Sequence, residues 1–274
     1  MTGISERLVS LLLRAQGRKK TELSDSWLAF LVTQKTASPN EDLALLDQHV
    51  LSQTLREVLA AGNVECVLDV GAFTGGFFKL VRKIGFRGKV ICFEPVAANH
   101  AELERSLSND SSSEIQRCAV GSYQGTTTMR VSRHANFSSA LVMSKNATTL
   151  FPTITDVIDT LAVPGITLNS FLAERQSQIE PSRTFLKVDV QGSELDVLKG
   201  ADKYLGSLAG LLVEIAVEPL YQGAPNYLEM LRFTHEAGFD PVGFFPVTRT
   251  AGGRTVEFDC LMVNRTLPMN TATE

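Results

Sequence analysis

The sequence predicts an α/β fold, a mostly parallel sheet with helices on both faces. Three observations carry this expectation. The runs Cys66-Val67-Leu68-Asp69-Val70 and Lys89-Val90-Ile91-Cys92-Phe93-Glu94 are nearly continuous apolar segments, as strands covered on both faces require. Between them Phe77, Phe78, Leu80, Val81 and Ile84 suit a helix that Gly85 closes, which makes a strand, helix, strand unit. Hydrophobic residues are 44% of the 274, and the length suits one large α/β domain with an accessory segment, or two small domains.

Residues 1 to about 60 read as helical. Leu8, Val9, Leu11, Leu12 and Leu13 suit one face of an amphipathic helix packed on the main domain, and a membrane-surface helix is the alternative. The run is too short to span a bilayer and does not read as a signal peptide. Pro39-Asn40 divides this region. Glu41 and Asp42 suit a new helix start, and Gly62-Asn63 a stop. After the first unit, Ala97 to Leu107 reads as a helix and Ile115 to Val120 as a third strand. The stretch from Gly121 to about Leu168 breaks the alternation. Thr126 to Val131 and Ala140 to Met143 read as an inserted β-hairpin about a polar loop, Ser132 to Ser139. Strands are then expected over Thr184–Val190, Gly210–Val217, Pro241–Pro246 and Val256–Val263, with helices over Ser193–Ala201 and Tyr227–Ala237. The expected organisation is a helical extension over 1–60, one domain over 61–266 and a tail over 267–274.

Charged residues are 20% and the net charge is -4, without the basic footprint of a nucleic-acid binder. Cys66, Cys92, Cys118 and Cys260 form no close pair and each falls in an apolar run. They read as buried thiols in a reducing, cytoplasmic setting rather than metal ligands. No metal is expected.

In an open parallel sheet ligands bind at the carboxyl ends of the strands. The first turn here is Asp69-Val70-Gly71-Ala72-Phe73-Thr74-Gly75-Gly76. Glycines at 71 and 75 allow tight bending and close approach of a ligand. The three-glycine spacing that seats a pyrophosphate is missing, and Asp69 would repel one. Asp69 could instead orient an ammonium, directly or through water, and Glu94 stands where the next strand end can accept ribose hydroxyls. A ligand with a ribose, an ammonium and no phosphate fits both acids, and S-adenosylmethionine is such a molecule.

Further segments extend the pattern: Phe93-Glu94-Pro95, Cys118-Ala119-Val120-Gly121, Thr167-Leu168-Asn169, Leu186-Lys187-Val188-Asp189-Val190-Gln191-Gly192-Ser193-Glu194 and Leu212-Val213-Glu214. Together with the first turn, and in this order over roughly residues 60 to 265, they resemble the FkbM family of S-adenosylmethionine-dependent methyltransferases. The resemblance implies a class I methyltransferase-like, Rossmann-like sheet of seven strands and methyl transfer to oxygen, often on sugars or polyketide-type products. It implies cofactor contacts at Asp69, Gly71, Ala72, Phe73, Gly75, Glu94, Pro95 and Val120. The family usually carries a polar residue at Phe73, Asp at Asn169 and Glu at Gln191. Phe73 is expected to offer its backbone N–H to the ligand, while Gln191 keeps hydrogen bonding without a charge.

Asp189, at the strand end that faces the transferred methyl in this architecture, is the expected acceptor of a hydroxyl proton. Lys187 projects to the same side and pairs with that acid or contacts substrate. His134 in the polar loop is a candidate neutral-pH base. Glu194 suits the start of its helix as a charge on the macrodipole. Glu214, Glu218, Tyr221 and Phe137 are candidate acceptor contacts, and Ser138-Ser139-Ala140-Leu141 resembles a family segment that lines the site. Three readings follow: a methyltransferase acting on a small hydroxylated acceptor, a cofactor-binding protein without catalysis, and a nicotinamide oxidoreductase. The N-terminal helix is also a candidate contact for a second copy of the chain.

Overall fold

A computed structural model describes residues 39–133, 137–151, 156–250 and 252–267. The apolar N-terminal segment and His134 therefore lie outside the described residues. The chain divides into Met1–Leu46 and a compact unit Asp47–Glu274, which carries the sheet.

Helix α1 (Pro39–Ala61) leads into β1 (Cys66–Val70), α2 (Gly76–Lys83), β2 (Lys89–Phe93), α3 (Ala97–Leu107) and β3 (Ser113–Gln116). A second layer of connections holds β4 (Ala119–Val120), β5 (Gly125–Ser132), α4 (Lys145–Leu150), β6 (Val157–Ile166) and α5 (Leu168–Glu174). The main sheet resumes with β7 (Thr184–Val188), α6 (Glu194–Lys199), α7 (Asp202–Leu205), β8 (Gly210–Ala216), α8 (Tyr227–Glu236), β9 (Phe239–Arg249) and β10 (Thr255–Asn264).

Seven strands form one sheet in the order β3-β2-β1-β7-β8-β10-β9. Pairing is parallel from β3 to β8, and β10 runs antiparallel between β8 and β9. This is the expected seven-stranded, mostly parallel, class I methyltransferase-like sheet. The chain reverses its direction of winding between β1 and β7, so the carboxyl ends of these two neighbours flank the crevice.

Period-two alternation sorts the strand residues to two cores. Leu68 and Val70 of β1 pack with Leu186 and Val188 of β7 and with Leu168, Phe171 and Val197 from α5 and α6. Val67 and Phe185 face the other way, with Leu51, Leu55, Val58 and Leu59 of α1 and Phe78 and Val81 of α2. This half of α1 is thus part of the sheet's cover. The same alternation puts Asp69 and Lys187 on the α2 side, opposite each other in register.

Two expectations are corrected. The partner of β5 is β6, antiparallel from Gly125↔Gly165 to Ser132↔Val157, and not Ala140–Met143. The latter has one bridge, Met143↔Tyr221, while the neighbouring Ser139 bridges Arg130 of β5, and α4 follows within the connection. β6 is exposed along Val157 to Thr160, so it lacks the alternation that marks a half-buried strand. The expected third strand is also two pieces, β3 in the main sheet and β4 in a small sheet ordered β4-β6-β5, with Cys118 between them. The other three cysteines lie in strands, and all four are free and buried. Burial pushes the Cys66 thiol up to about 12.

Candidate functional site

A cavity of about 300 Å³ lies at the carboxyl ends of β1, β2, β7 and β8. One end is lined by Gly71, Phe73, Glu94, Pro95, Val96 and Val120, the other by Asp189, Gln191, Ser193, Glu214, Thr248 and Glu257.

Gly71 and Phe73 both have left-handed backbones, at φ 81° and 50°. For Gly71 this is a packing requirement, because a Cβ there would meet the Asp189 carbonyl oxygen at 1.8 Å. The turn from β1 and the strand end of β7 touch at this point. In Phe73 the left-handed turn aims the backbone N–H at Glu94 Oε2, 2.9 Å away. The N–H expected to meet a ligand is therefore engaged by Glu94 instead. Glu94 Oε1 accepts from Val96 N–H at 2.8 Å and from Asn99 Nδ2 at 3.1 Å. A carboxylate has about four acceptor positions. Three are filled by the chain, and one on Oε2 remains open. Burial pushes the Glu94 carboxyl above its ordinary range, and the Val96, Asn99 and Phe73 donors oppose that.

Asp69, Ala72 and Gly75 do not line the cavity. Ala72 is buried and donates to the Phe93 carbonyl. Gly75 caps α2 with φ 88°, and a Cβ there would meet Ser106 and Leu103, so its constraint is the packing of α2 on α3. Asp69 is fully buried. Its Oδ1 lies 3.2 Å from the Lys187 ammonium, which also contacts Asp189 Oδ2 at 3.3 Å and donates to the Gly71 carbonyl at 2.9 Å. The expectation that Asp69 orients a ligand ammonium is corrected: the ammonium it holds belongs to its own chain. Lys187 is off the cavity wall as well and pairs with the acids. Burial alone would lower its pKa, but Asp189 and Asp69 outweigh this and hold it well above the usual lysine range.

Asp189, immediately past β7, does line the cavity. Its Oδ1 accepts from Gln191 Nε2 at 3.0 Å. Gln191 also donates to Glu214 Oε2 at 2.8 Å. Glu194 accepts from the Val190 and Gly192 N–H groups, both at 3.0 Å, so it braces this turn from beneath as well as starting α6. Phe137, Ser138 and Ala140 line the cavity, whereas Ser139 and Leu141 of the same segment do not. Tyr221 is buried and packs over Gly192 instead of offering a face to substrate. Glu218 is paired with Arg254.

Sequence reasoning missed Asn99, Ser193, Thr248 and Glu257. The last two come from β9 and β10, whose place beside β8 depends on the antiparallel strand order. Loss of hydration, reinforced by Asp189, Glu257 and Asp259, pushes the Glu214 carboxyl well above its ordinary range. Burial and Asp189 push Glu257 to about 7 against a hydrogen bond from Thr248. One end of the cavity thus keeps an open carboxylate position beside apolar walls, while the other gathers the carboxyl groups of Asp189, Glu214 and Glu257.

The sequence profile described as the methyltransferase FkbM domain matches residues 69–241. Comparison with curated proteins finds no match. Similar solved structures include an rRNA methylase from Streptococcus thermophilus, at 12% identity and TM-score 0.42, covering 80% of this chain and 96% of that one. Fibrillarin from Aeropyrum pernix, solved with natively bound S-adenosyl-L-methionine, has 11% identity and TM-score 0.43 over 78% of this chain and 74% of its own. A precorrin-6y C5,15-methyltransferase from Geobacter metallireducens has 10% identity and TM-score 0.42, over 78% and 87%.

Proposed function

The chain belongs to the FkbM methyltransferase family, and on that premise we propose that this S-adenosylmethionine-dependent enzyme methylates a hydroxyl oxygen of a small polar acceptor such as a sugar. The observation that supports this reading is the single cavity joining Glu94 at one end to Asp189 and Glu214 at the other.

The residues present fit the cofactor. Glu94 retains an acceptor position for a ribose hydroxyl, Pro95, Val96 and Val120 offer apolar wall, and Gly71 brings backbone to the cavity surface. When bound, the cofactor supplies a methyl group already activated on a sulfonium. The protein's own task is alignment and management of the hydroxyl proton. Asp189 is the proposed proton acceptor. Its two oxygens are steadied by Gln191 and Lys187, and its side chain reaches the cavity wall. Ser138 and Phe137 would bound the acceptor on the inserted side. A phosphate-rich acceptor is disfavoured by Asp189 on the cavity wall, which offers no facing cation among the described residues, and by the net charge of -4.

Calorimetric titration with S-adenosylhomocysteine and with NAD tests the cofactor, and binding of NAD alone would overturn the reading. Labelled methyl is expected to appear in a pool of hydroxylated metabolites. Asp189→Asn should lower that transfer by about 10²-fold or more while leaving S-adenosylhomocysteine binding intact. Unchanged turnover in this variant removes Asp189 from the reaction.

A further inference from the structure

Gln191 has every polar group of its side chain engaged. Both Nε2 hydrogens are used, on Asp189 Oδ1 at 3.0 Å and on Glu214 Oε2 at 2.8 Å. Its Oε1 accepts from the Tyr221 hydroxyl at 3.1 Å, and its backbone carbonyl accepts from the Ser139 hydroxyl at 2.6 Å. The backbone is left-handed at φ 59°, a conformation that a residue with a Cβ adopts only under strain. Gly192 follows at φ 100°, and the Tyr221 ring fills the place its Cβ would take. A strained backbone is retained here with the amide held at both ends.

Two carboxylates that converge on one point repel unless something positive stands between them. The usual solutions are a shared proton or a bound cation. Here burial already favours the protonated form of Glu214, and a neutral amide that does not titrate donates one N–H to each side chain and fixes where both lie. A flipped amide would set its oxygen against both acids, so the acids fix the sense of the clamp; the one Tyr221 hydroxyl hydrogen supports it from Oε1 at 3.1 Å, with the Phe137 carbonyl at 3.3 Å as its other acceptor.

We infer that Gln191 is the positioning residue of the acceptor wall: its amide, donating to Asp189 and to Glu214 at once, ties the two side chains together and holds the Asp189 carboxylate in place to take a hydroxyl proton. The role for Asp189 rests on the reading proposed above; the clamp itself rests on the contacts. The other groups facing this point are Lys187 on β7, Asp69 behind it on β1, Glu194 on α6, Glu257 and Asp259 on β10, and Tyr221. Lys187 is the cation of this set and already serves Asp189 Oδ2. Removal of the amide therefore leaves Oδ1 of Asp189 and Oε2 of Glu214 without their common donor.

The test uses the full chain with Gln191→Glu, Gln191→Met and Tyr221→Phe. Two quantities are followed from pH 5.5 to 9: the thermal midpoint without ligand, and kcat and KM for labelled methyl transfer to a set of methyl hexosides. Gln191→Glu places a further carboxyl between Asp189 and Glu214, which must take up a proton. Its midpoint should fall more steeply with rising pH than that of the wild type. The rise of kcat with pH should move upward by about one unit, with about a tenfold loss at pH 7 and an unchanged KM for the cofactor. Gln191→Met, of similar shape but without donors, should move the profile in the same direction. Tyr221→Phe should give a smaller shift, and remains informative if the Gln191 variants fail to fold. Wild-type pH profiles in the variants would overturn the inference. If the wild type methylates no hydroxyl probe, the proposed reaction fails, and the midpoint profiles alone decide the clamp.

Discussion

Lys187 donates to the Gly71 carbonyl at 2.9 Å, so a side chain from β7 fastens the turn that follows β1. The same ammonium holds Asp69 at 3.2 Å inside the sheet's cover. Lys187→Met leaves Asp69 buried without its countercharge, which should cost about 3–5 kcal/mol. Adding Asp69→Asn should recover a large part of the loss. Urea denaturation of both variants measures this, and equal stability of the single and double variants would show that the pair is not coupled.

Gly71 and Gly76 give opposite expectations although both flank the same turn. Gly71→Ala drives a Cβ into the Asp189 carbonyl at a left-handed position, and should abolish stable folding or cofactor binding. Gly76 opens α2 with nothing within 4 Å of its missing Cβ. Gly76→Ala should raise stability by about 0.5–1 kcal/mol. Thermal unfolding of the two proteins side by side checks both directions.

Glu94→Gln keeps one carbonyl oxygen but sets an NH2 against at least one of the three donors that meet the carboxylate. Affinity for S-adenosylhomocysteine should drop by about 1.5–3 kcal/mol, measured by calorimetry. An unchanged Kd would take Glu94 out of the ribose site.

Stability should fall as pH rises from about 4.5 through 7. Burial pushes the Glu194 carboxyl from 4.5 to about 7, against the Gly192 and Val190 N–H donors. The folded chain therefore holds this proton to higher pH than the unfolded chain does. The penalty for ionising it is absent below 4.5 and complete above about 7, and amounts to about 3 kcal/mol. Glu194→Gln retains an oxygen for those N–H groups and removes the titration. Its stability should be flatter over this window in denaturant titrations at fixed pH, although Glu257, also at about 7, contributes to the slope. A wild-type slope in the variant rejects the assignment.

The parallel half of the sheet was legible because β1, β2, β7 and β8 are apolar on both faces and end at glycines or acids. Glu94, Asp189 and Glu214 were legible for the same reason, since strand ends converge in this architecture. What stayed hidden depends on neighbours remote in the chain. That Asp69 faces Lys187 follows only once β1 and β7 are adjacent and in register. The loss of the Phe73 N–H to Glu94 depends on a left-handed backbone that an aromatic residue does not announce. β6 escaped notice because much of it is exposed, so hydrophobic periodicity carries no record of its pairing.

Three donors from the chain already fix the Glu94 carboxylate. The rotational freedom of that side chain is therefore lost on folding and not on association. Cofactor capture should proceed with little local ordering, and its affinity should depend weakly on glutamate rotamer entropy. Loosening any one donor, such as Asn99→Ala, transfers that entropic cost to the binding step even though Asn99 need never touch the adenosine.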